Sequence, residues 1–401
     1  MSISAVCSWI SCFCCYQSDT DQYGPLKNDP SPADYSSCQV SEIPISMPRL
    51  STETLELLTP FLGQYDARED QLGSQGLYVS PDGSYAYNHA SSLPSSYFKI
   101  QKGLPFAINM DRGGVVCRKN GSLAACIADG VSGAGYFSAY VAHMIADYFL
   151  QQFATHSLPF TEDMEKNSHI ALKLFADCTN HVHARTPGKL HGASTALLVE
   201  CMPTENTKYL VKAIALGDSA VFHINTAERT STQLNKINRK CDEEGKPIRK
   251  DSGGCIHSNG KIYLHENICA AYTYAEESDY LVLVTDGFLD NVKDGRVNEL
   301  IALVAFHPFF DKFFELLMRL RKRWDYTSEL PSIEQLYQFI SDNSLEEIRD
   351  FPRPTAEQIT TRLATYVKIV TTYYRPEKLH SDDAPKPDDY MIITISPGVA
   401  L

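Results

Sequence analysis

Tyr280-Leu281-Val282-Leu283-Val284-Thr285-Asp286-Gly287-Phe288-Leu289-Asp290-Asn291 is the stretch on which the fold turns. Five apolar residues without alternation predict a short strand buried on both faces. That strand runs into an aspartate, a glycine, two bulky apolar residues and a second aspartate. A carboxylate at the end of a buried strand is costly unless a counter-charge neutralises it, and a metal ion is a common answer. Asp-Gly is also an ordinary hairpin turn, and Asp82-Gly83 and Asp294-Gly295, in polar surroundings, read as turns. Asp286-Gly287 differs because hydrophobic sequence resumes at once, as Phe288-Leu289.

Working outward, 401 residues hold one large domain or two ordinary ones. A hydrophobic content of 43% is enough for a substantial core. The net charge of −13 argues against nucleic acid as partner, since phosphate backbones call for clustered Lys and Arg. No apolar run reaches the roughly 20 residues needed to span a bilayer. Cysteines beyond residue 38 are scattered singly, which suits a reducing compartment. The expectation is an acidic, cytoplasmic globular protein.

The N-terminus adds a membrane expectation. Cys7, Cys12, Cys14 and Cys15 lie among Trp9, Ile10 and Phe13, with no Lys or Arg before Lys27. That is neither a cleaved signal nor a presequence. Clustered cysteines beside aromatics suit S-acylation, and two or more acyl chains would tether the chain to a membrane. A tail with chance cysteines is the alternative. Residues 1–16 are read as this segment and 17–75 as a polar linker carrying one short helix near Thr52. A single domain follows at 76–401, in which Gly76 to Phe98 lies across the surface or adds an edge hairpin, with excursions near 225–262, read as a flap or long loop, and 300–380.

Within that domain, strands and acids repeat one pattern. Asn120-Gly121 between apolar runs predicts a hairpin, and its second strand, Leu123 to Ala128, ends in Asp129-Gly130. Two strands across 193–216 end in Gly217-Asp218. Asp111 follows a short apolar run, and Asp388 and Asp389 open the closing strand, Tyr390 to Ile395. Helices are expected over 137–153, 170–183, 297–324, 333–340 and 355–374. Carboxylates and carbonyls without Cys or His pairs favour hard ions, Mg²⁺ or Mn²⁺, over zinc. Gathered at one edge, they can hold two ions about 3.5–4 Å apart. His143, His181 and His183 fall on helical stretches and read as ordinary.

Five segments in order, Ala128-Asp129-Gly130-Val131-Ser132-Gly133, Gly192-Ala193-Ser194-Thr195-Ala196, Leu216-Gly217-Asp218-Ser219, Thr285 to Asn291 and Lys386-Pro387-Asp388-Asp389, resemble the motifs of the PPM family. These are the type 2C metal-dependent serine/threonine protein phosphatases. The resemblance covers roughly residues 100 to 397 and is nearest the branch with Asp-Gly-Val and Lys-Pro-Asp-Asp. It implies an α+β fold, a four-layer α-β-β-α sandwich of two antiparallel sheets flanked by helices, and two Mn²⁺ or Mg²⁺ ions with a weaker third. By matching position Asp129 would bridge the ions and the Gly130 carbonyl would bind one. Asp286 and Asp388 would ligate the other, Asp111 would ligate directly or through water, and Asp218 would serve the third ion, with Asp290 beside it. Hydroxide held at the ions would attack the phosphorus of a phosphorylated protein in line, without a phosphoenzyme; Asp129 and Asp286 carry that catalysis.

The chain departs from the pattern at four places. Val131 stands where many members have a histidine, and Phe106 where many have a phosphate-gripping arginine, with Lys102 and Arg112 as substitutes. Met110 and Met391 replace polar residues. An inactive module that docks partners through the same fold is therefore the alternative, with a hydrolase for a small phosphorylated metabolite as a third reading.

Overall fold

Every residue of Tyr280–Val284 is buried, and its two faces belong to different cores. Leu281 and Leu283 enter one, and Tyr280, Val282 and Val284 the other. The computed structural model describes residues 45–46, 76–92 and 109–306 with short gaps (136, 162, 187–189, 205–206, 238, 242–247, 249–250, 265–267, 293–294), then 334, 338, 353–371, 386 and 388–399. Cys7, Cys12, Cys14 and Cys15, Lys102, Phe106, the Thr52 helix and nearly all of 307–352 lie outside the described residues.

Two six-stranded antiparallel sheets make the framework. The first has the spatial order β1 (Ile45–Ser46), β4 (Arg112–Cys117), β5 (Leu123–Ala128), β7 (Ala196–Pro203), β8 (Lys208–Leu216), β13 (Cys269–Glu276). The second runs β10 (Thr230–Gln233), β9 (Ala220–Asn225), β14 (Tyr280–Val284), β15 (Asp389–Ile395), β3 (Tyr85–Ser91), β2 (Gly76–Val79). A third, small sheet joins β12 (Ile262–Leu264), β11 (Gly254–His257) and β6 (Ala193–Ser194).

Side-chain alternation stacks these sheets. Leu123, Ala125 and Ile127 of β5 meet Leu281 and Leu283 of β14 and Met391, Ile393 and Ile395 of β15 between the two large sheets. The opposite faces, Ala124, Cys126 and Ala128 on one sheet and Val282, Val284 and Ile392 on the other, pack against helices. Helices Ser138–Thr155 and Met164–Arg185 cover the first sheet. Helices Val297–Phe306 and Ala356–Thr371 cover the second. The fold is the four-layer α+β sandwich. The inner strands of both large sheets are covered on two faces, which is why β5 and β14 read as unbroken apolar runs.

Helix starts follow local chemistry. Asp163 accepts from the N–H groups of Glu165 and Lys166, so that helix begins at Met164, earlier than its apolar stripe suggests. At Ala356–Thr371 the Thr355 hydroxyl accepts from the Gln358 N–H at 3.1 Å while Gln358 Oε1 accepts from the Thr355 N–H at 2.9 Å. That reciprocal pair satisfies two donors the helix would otherwise leave open.

Two expectations need correction and a third is met. Ile45–Ser46, within the stretch read as linker, pairs as an edge strand with Val116 and Val115. The excursion at 225–262, read as a flap or long loop, contributes β10, β11 and β12; its strands are only three or four residues long, too short to show a period. The edge hairpin expected at 76–98 is formed by β2 and β3, with β2 outermost, β3 paired to β15, and Tyr85 and Tyr87 buried between the sheets.

Candidate active site

Six strand ends place the acids. Asp111 immediately precedes β4 and Asp129 immediately follows β5, so an antiparallel pair delivers both to the same end of the first sheet. Asp218 lies in the turn from β8 into β9. Asp286 follows β14, and Asp388 and Asp389 sit at the start of its antiparallel neighbour β15. Both sheets thus present carboxylates at one edge of the gap between them. The side chains face one another: Asp111 feels Asp389, Asp286 and Asp388, while Asp129 feels Asp111, Asp286, Asp218 and Asp388.

The backbone around this edge is built for close approach. Asp286-Gly287 opens a one-turn helix, Asp286–Leu289, and is not a hairpin turn. A Cβ on Gly287 would collide with the Asp389 carbonyl oxygen, so only glycine lets the two acid-bearing segments meet. Gly130 is confined likewise: a Cβ there would lie 2.8 Å from both the Cβ and the carbonyl oxygen of Met110. Thr195 explains its own motif: its N–H donates to the Asp129 carbonyl at 2.9 Å, and its hydroxyl accepts from the Asp129 N–H at 3.2 Å. This bracing interrupts what reads as one strand and separates β6 from β7. The Thr285 hydroxyl accepts from the Met391 N–H at 2.9 Å, tying β14 to β15, and its dipole favours the ionised form of the neighbouring Asp111 carboxyl.

Two cations enter the cluster. Arg239, from the polar excursion after β10, lies 2.8 Å from Asp218 and 2.9 Å from Asp286 and pairs also with Asp290. Lys386 Nζ lies 3.0 Å from Asp286, 2.8 Å from Asp290 and 3.0 Å from Asp388. Sequence reasoning missed Arg239, which is one cation among several in a polar stretch. Lys386 opens the Lys-Pro-Asp-Asp motif, where the sequence alone assigns it no role. Asn291 holds it in place: its Oδ1 accepts from the Lys386 N–H at 3.0 Å, and its Nδ2 donates to the Lys386 and Gly287 carbonyls, each at 2.8 Å.

The electrostatics divide the cluster in two. Burial and the facing acids hold Asp111 and Asp129 well above the usual carboxylate range. Burial pushes Asp218 up to about 7 against the pull of Arg239. Burial would also raise Asp286, but Lys386 and then Arg239 outweigh it and hold that carboxyl at about 2. Asp388 is raised by burial and Asp286, with Lys386 opposing. Burial disfavours the Lys386 ammonium, yet Asp286, Asp388 and Asp290 keep it well above its ordinary value.

The donor set suits a hard divalent ion at one end. Asp111 Oδ2 and Asp218 Oδ1 are buried with no hydrogen-bond partner among the described residues, and the charges that most affect Asp129 are all acidic. Oxygen-only donors with uncompensated negative charge are what Mg²⁺ or Mn²⁺ requires. Among the described residues, no three His, Cys, Asp or Glu groups already stand in ligand geometry.

The expected substitute for the phosphate arginine does not serve. Arg112 is 1% exposed, and its Nη1 donates to the Asp111 carbonyl at 2.6 Å beside His89. Its guanidinium is committed inside the sandwich. Met110 contributes its N–H, which donates to Asp389 Oδ2 at 2.7 Å, and Met391 packs between the sheets. His181 and His183 lie in the helix Met164–Arg185, His183 beside the Ser258 carbonyl and His181 beside Arg185.

No family model and no curated protein sequence matches the chain. Among solved structures it is similar to a bacterial serine phosphatase, at 12% identity and a TM-score of 0.43 over 78% of this chain and 96% of that one. It is similar also to the serine/threonine phosphatase Stp1 from Staphylococcus aureus (13%, TM-score 0.40, 82% and 98%) and to the photosystem II phosphatase PBCP (16%, TM-score 0.40, 80% and 98%). At these values the likeness is one of fold outline, and the functional reading rests on the chain's own residues.

Proposed function

We propose that the chain is a metal-dependent protein phosphatase of the PPM type, acting on phosphoserine or phosphothreonine in protein substrates. The observation that carries this reading is the convergence of Asp111, Asp129, Asp218, Asp286 and Asp388 from five distant segments at one edge of the sandwich. Asp111, Asp129 and the Gly130 carbonyl would hold a divalent ion, and Asp218, Asp286 and Asp388 complete the acidic edge beside it. Such ions, when bound, lower the pKa of water toward neutrality and neutralise charge on a transferring phosphoryl group.

The chain's own groups do the rest. The Thr285 hydroxyl favours ionisation of the Asp111 carboxyl, and Thr195 fixes the backbone that carries Asp129. Lys386, with a side chain 26% exposed, stands at the mouth of the cluster, where a cation steers a phosphate dianion inward. Val131 offers no proton to a leaving alkoxide, so that proton comes from solvent.

Hydrolysis of a phosphothreonine peptide with and without Mn²⁺ tests the reading. The expectation is Mn²⁺-dependent phosphate release that falls at least about a hundredfold in a D129N/D286N double variant, the scale of losing a several-kcal/mol electrostatic term. Equal rates in all three conditions would refute it. One observation favours the second reading, an inactive docking module: Arg239 and Lys386 already satisfy much of the acidic charge. That reading gives no turnover under any metal condition. If the phosphopeptide is inert but a small phosphate ester turns over with Mn²⁺, the substrate is a metabolite.

A further inference from the structure

The resemblance leaves the two cations unassigned, and their placement is built. Arg239 is buried, with guanidinium contacts to Asp218, Asp286 and Asp290. Lys386 is pinned through its backbone by Asn291, itself fully buried, so that its ammonium reaches Asp286, Asp290 and Asp388 together. Asp286 and Asp388 are the carboxylates that the family pattern gives to a second ion. A lysine nitrogen 3.0 Å from each already supplies positive charge to both carboxylates, and a divalent ion held by the same pair would be repelled by it. Asp111 and Asp129 are different. They have no ion pair with Arg, Lys or His among the described residues, and the nearly fully buried Asp111 keeps Oδ2 without a hydrogen-bond partner there.

We infer that Arg239 and Lys386 are resident counter-ions in place of one divalent ion, so that the cluster takes up a single ion, at its Asp111–Asp129 end. This rests on reading the cluster as a metal centre. The arrangement also explains how so many carboxylates assemble before any ion arrives: the half bearing Asp218, Asp286, Asp290 and Asp388 carries its own positive charge. Arg239 and Lys386 act through the carboxylates and are positioning residues.

The test is Mn²⁺ stoichiometry on the full chain after chelation, by titration calorimetry, with Mn²⁺ paramagnetic resonance as a second readout. The wild type should bind one ion and give an uncoupled six-line spectrum. Lys386→Met, at the solvent mouth, should admit a second ion and produce a spin-coupled pair; Arg239→Met alone should bring a smaller gain. Circular dichroism identifies variants that remain folded. Two ions bound by the wild type would overturn the inference and leave the phosphatase reading standing. No ion bound would overturn both. A folded Lys386→Met protein that still binds one ion would also overturn it. The wild-type count needs no variant, so a variant that fails to fold does not rescue the inference.

Discussion

Asp129 stands at the end of a fully buried strand and faces Asp111, Asp286, Asp218 and Asp388, with burial and those charges all opposing its ionisation. Its folded-state pKa is raised, so the native protein holds a proton that the unfolded chain releases near pH 4. Stability therefore falls as pH rises from about 4 through the folded value, and at neutral pH the metal-free protein bears that cost. Replacing Asp129 by Asn removes the charge and keeps the shape. The metal-free D129N protein should melt higher than wild type, by roughly 2–4 °C for each kcal/mol recovered, and should lose the stabilisation that Mn²⁺ gives wild type. Melting with and without Mn²⁺ checks both signs; a lower melting point for metal-free D129N would show that the carboxylate is compensated after all. At this scale the acids were legible because each ends or opens an apolar strand. Arg239 was not, since nothing local marks one arginine of a polar excursion as the one that turns inward.

Elements were legible in proportion to how much their own sequence decides them. Tyr280–Val284 and Asp389–Ile395, covered on both faces, show their burial as continuous apolar runs. The short strands of the third sheet do not, because Gly254–His257 pairs with Ile262–Leu264 and Ala193–Ser194 through backbone contacts that three or four residues cannot announce. The Ile45–Ser46 strand is likewise decided by an open edge of β4 far along the chain. Helix Met164–Arg185 carries a pH dependence of its own. Burial, then Arg185 one turn on, holds His181 down to about 4, and the Tyr148 ring from helix Ser138–Thr155 packs 4.7 Å away. Here the folded pKa lies below the unfolded value near 6.5, so the unfolded chain takes up the proton first and stability falls as pH drops from 6.5 toward 4. Urea midpoints at pH 7.5 and pH 5 should differ more for wild type than for H181Q. An identical difference in both would contradict the assignment.

For the whole molecule, the sandwich supplies a rigid edge where strand ends from two sheets meet, and the acids ride on those ends. Fold class and the identity of the converging carboxylates came from the order of motifs; the split of the cluster into a cation-paired half and an open half came only from three-dimensional placement. That split is the core of the account, because it says where an incoming ion must go. A crystal grown with Mn²⁺ and measured at the manganese absorption edge tests it most directly. The account predicts an anomalous peak between the Asp111 and Asp129 carboxylates, beside the Gly130 carbonyl. No peak within reach of those groups, or manganese bound only elsewhere on the surface, would contradict it.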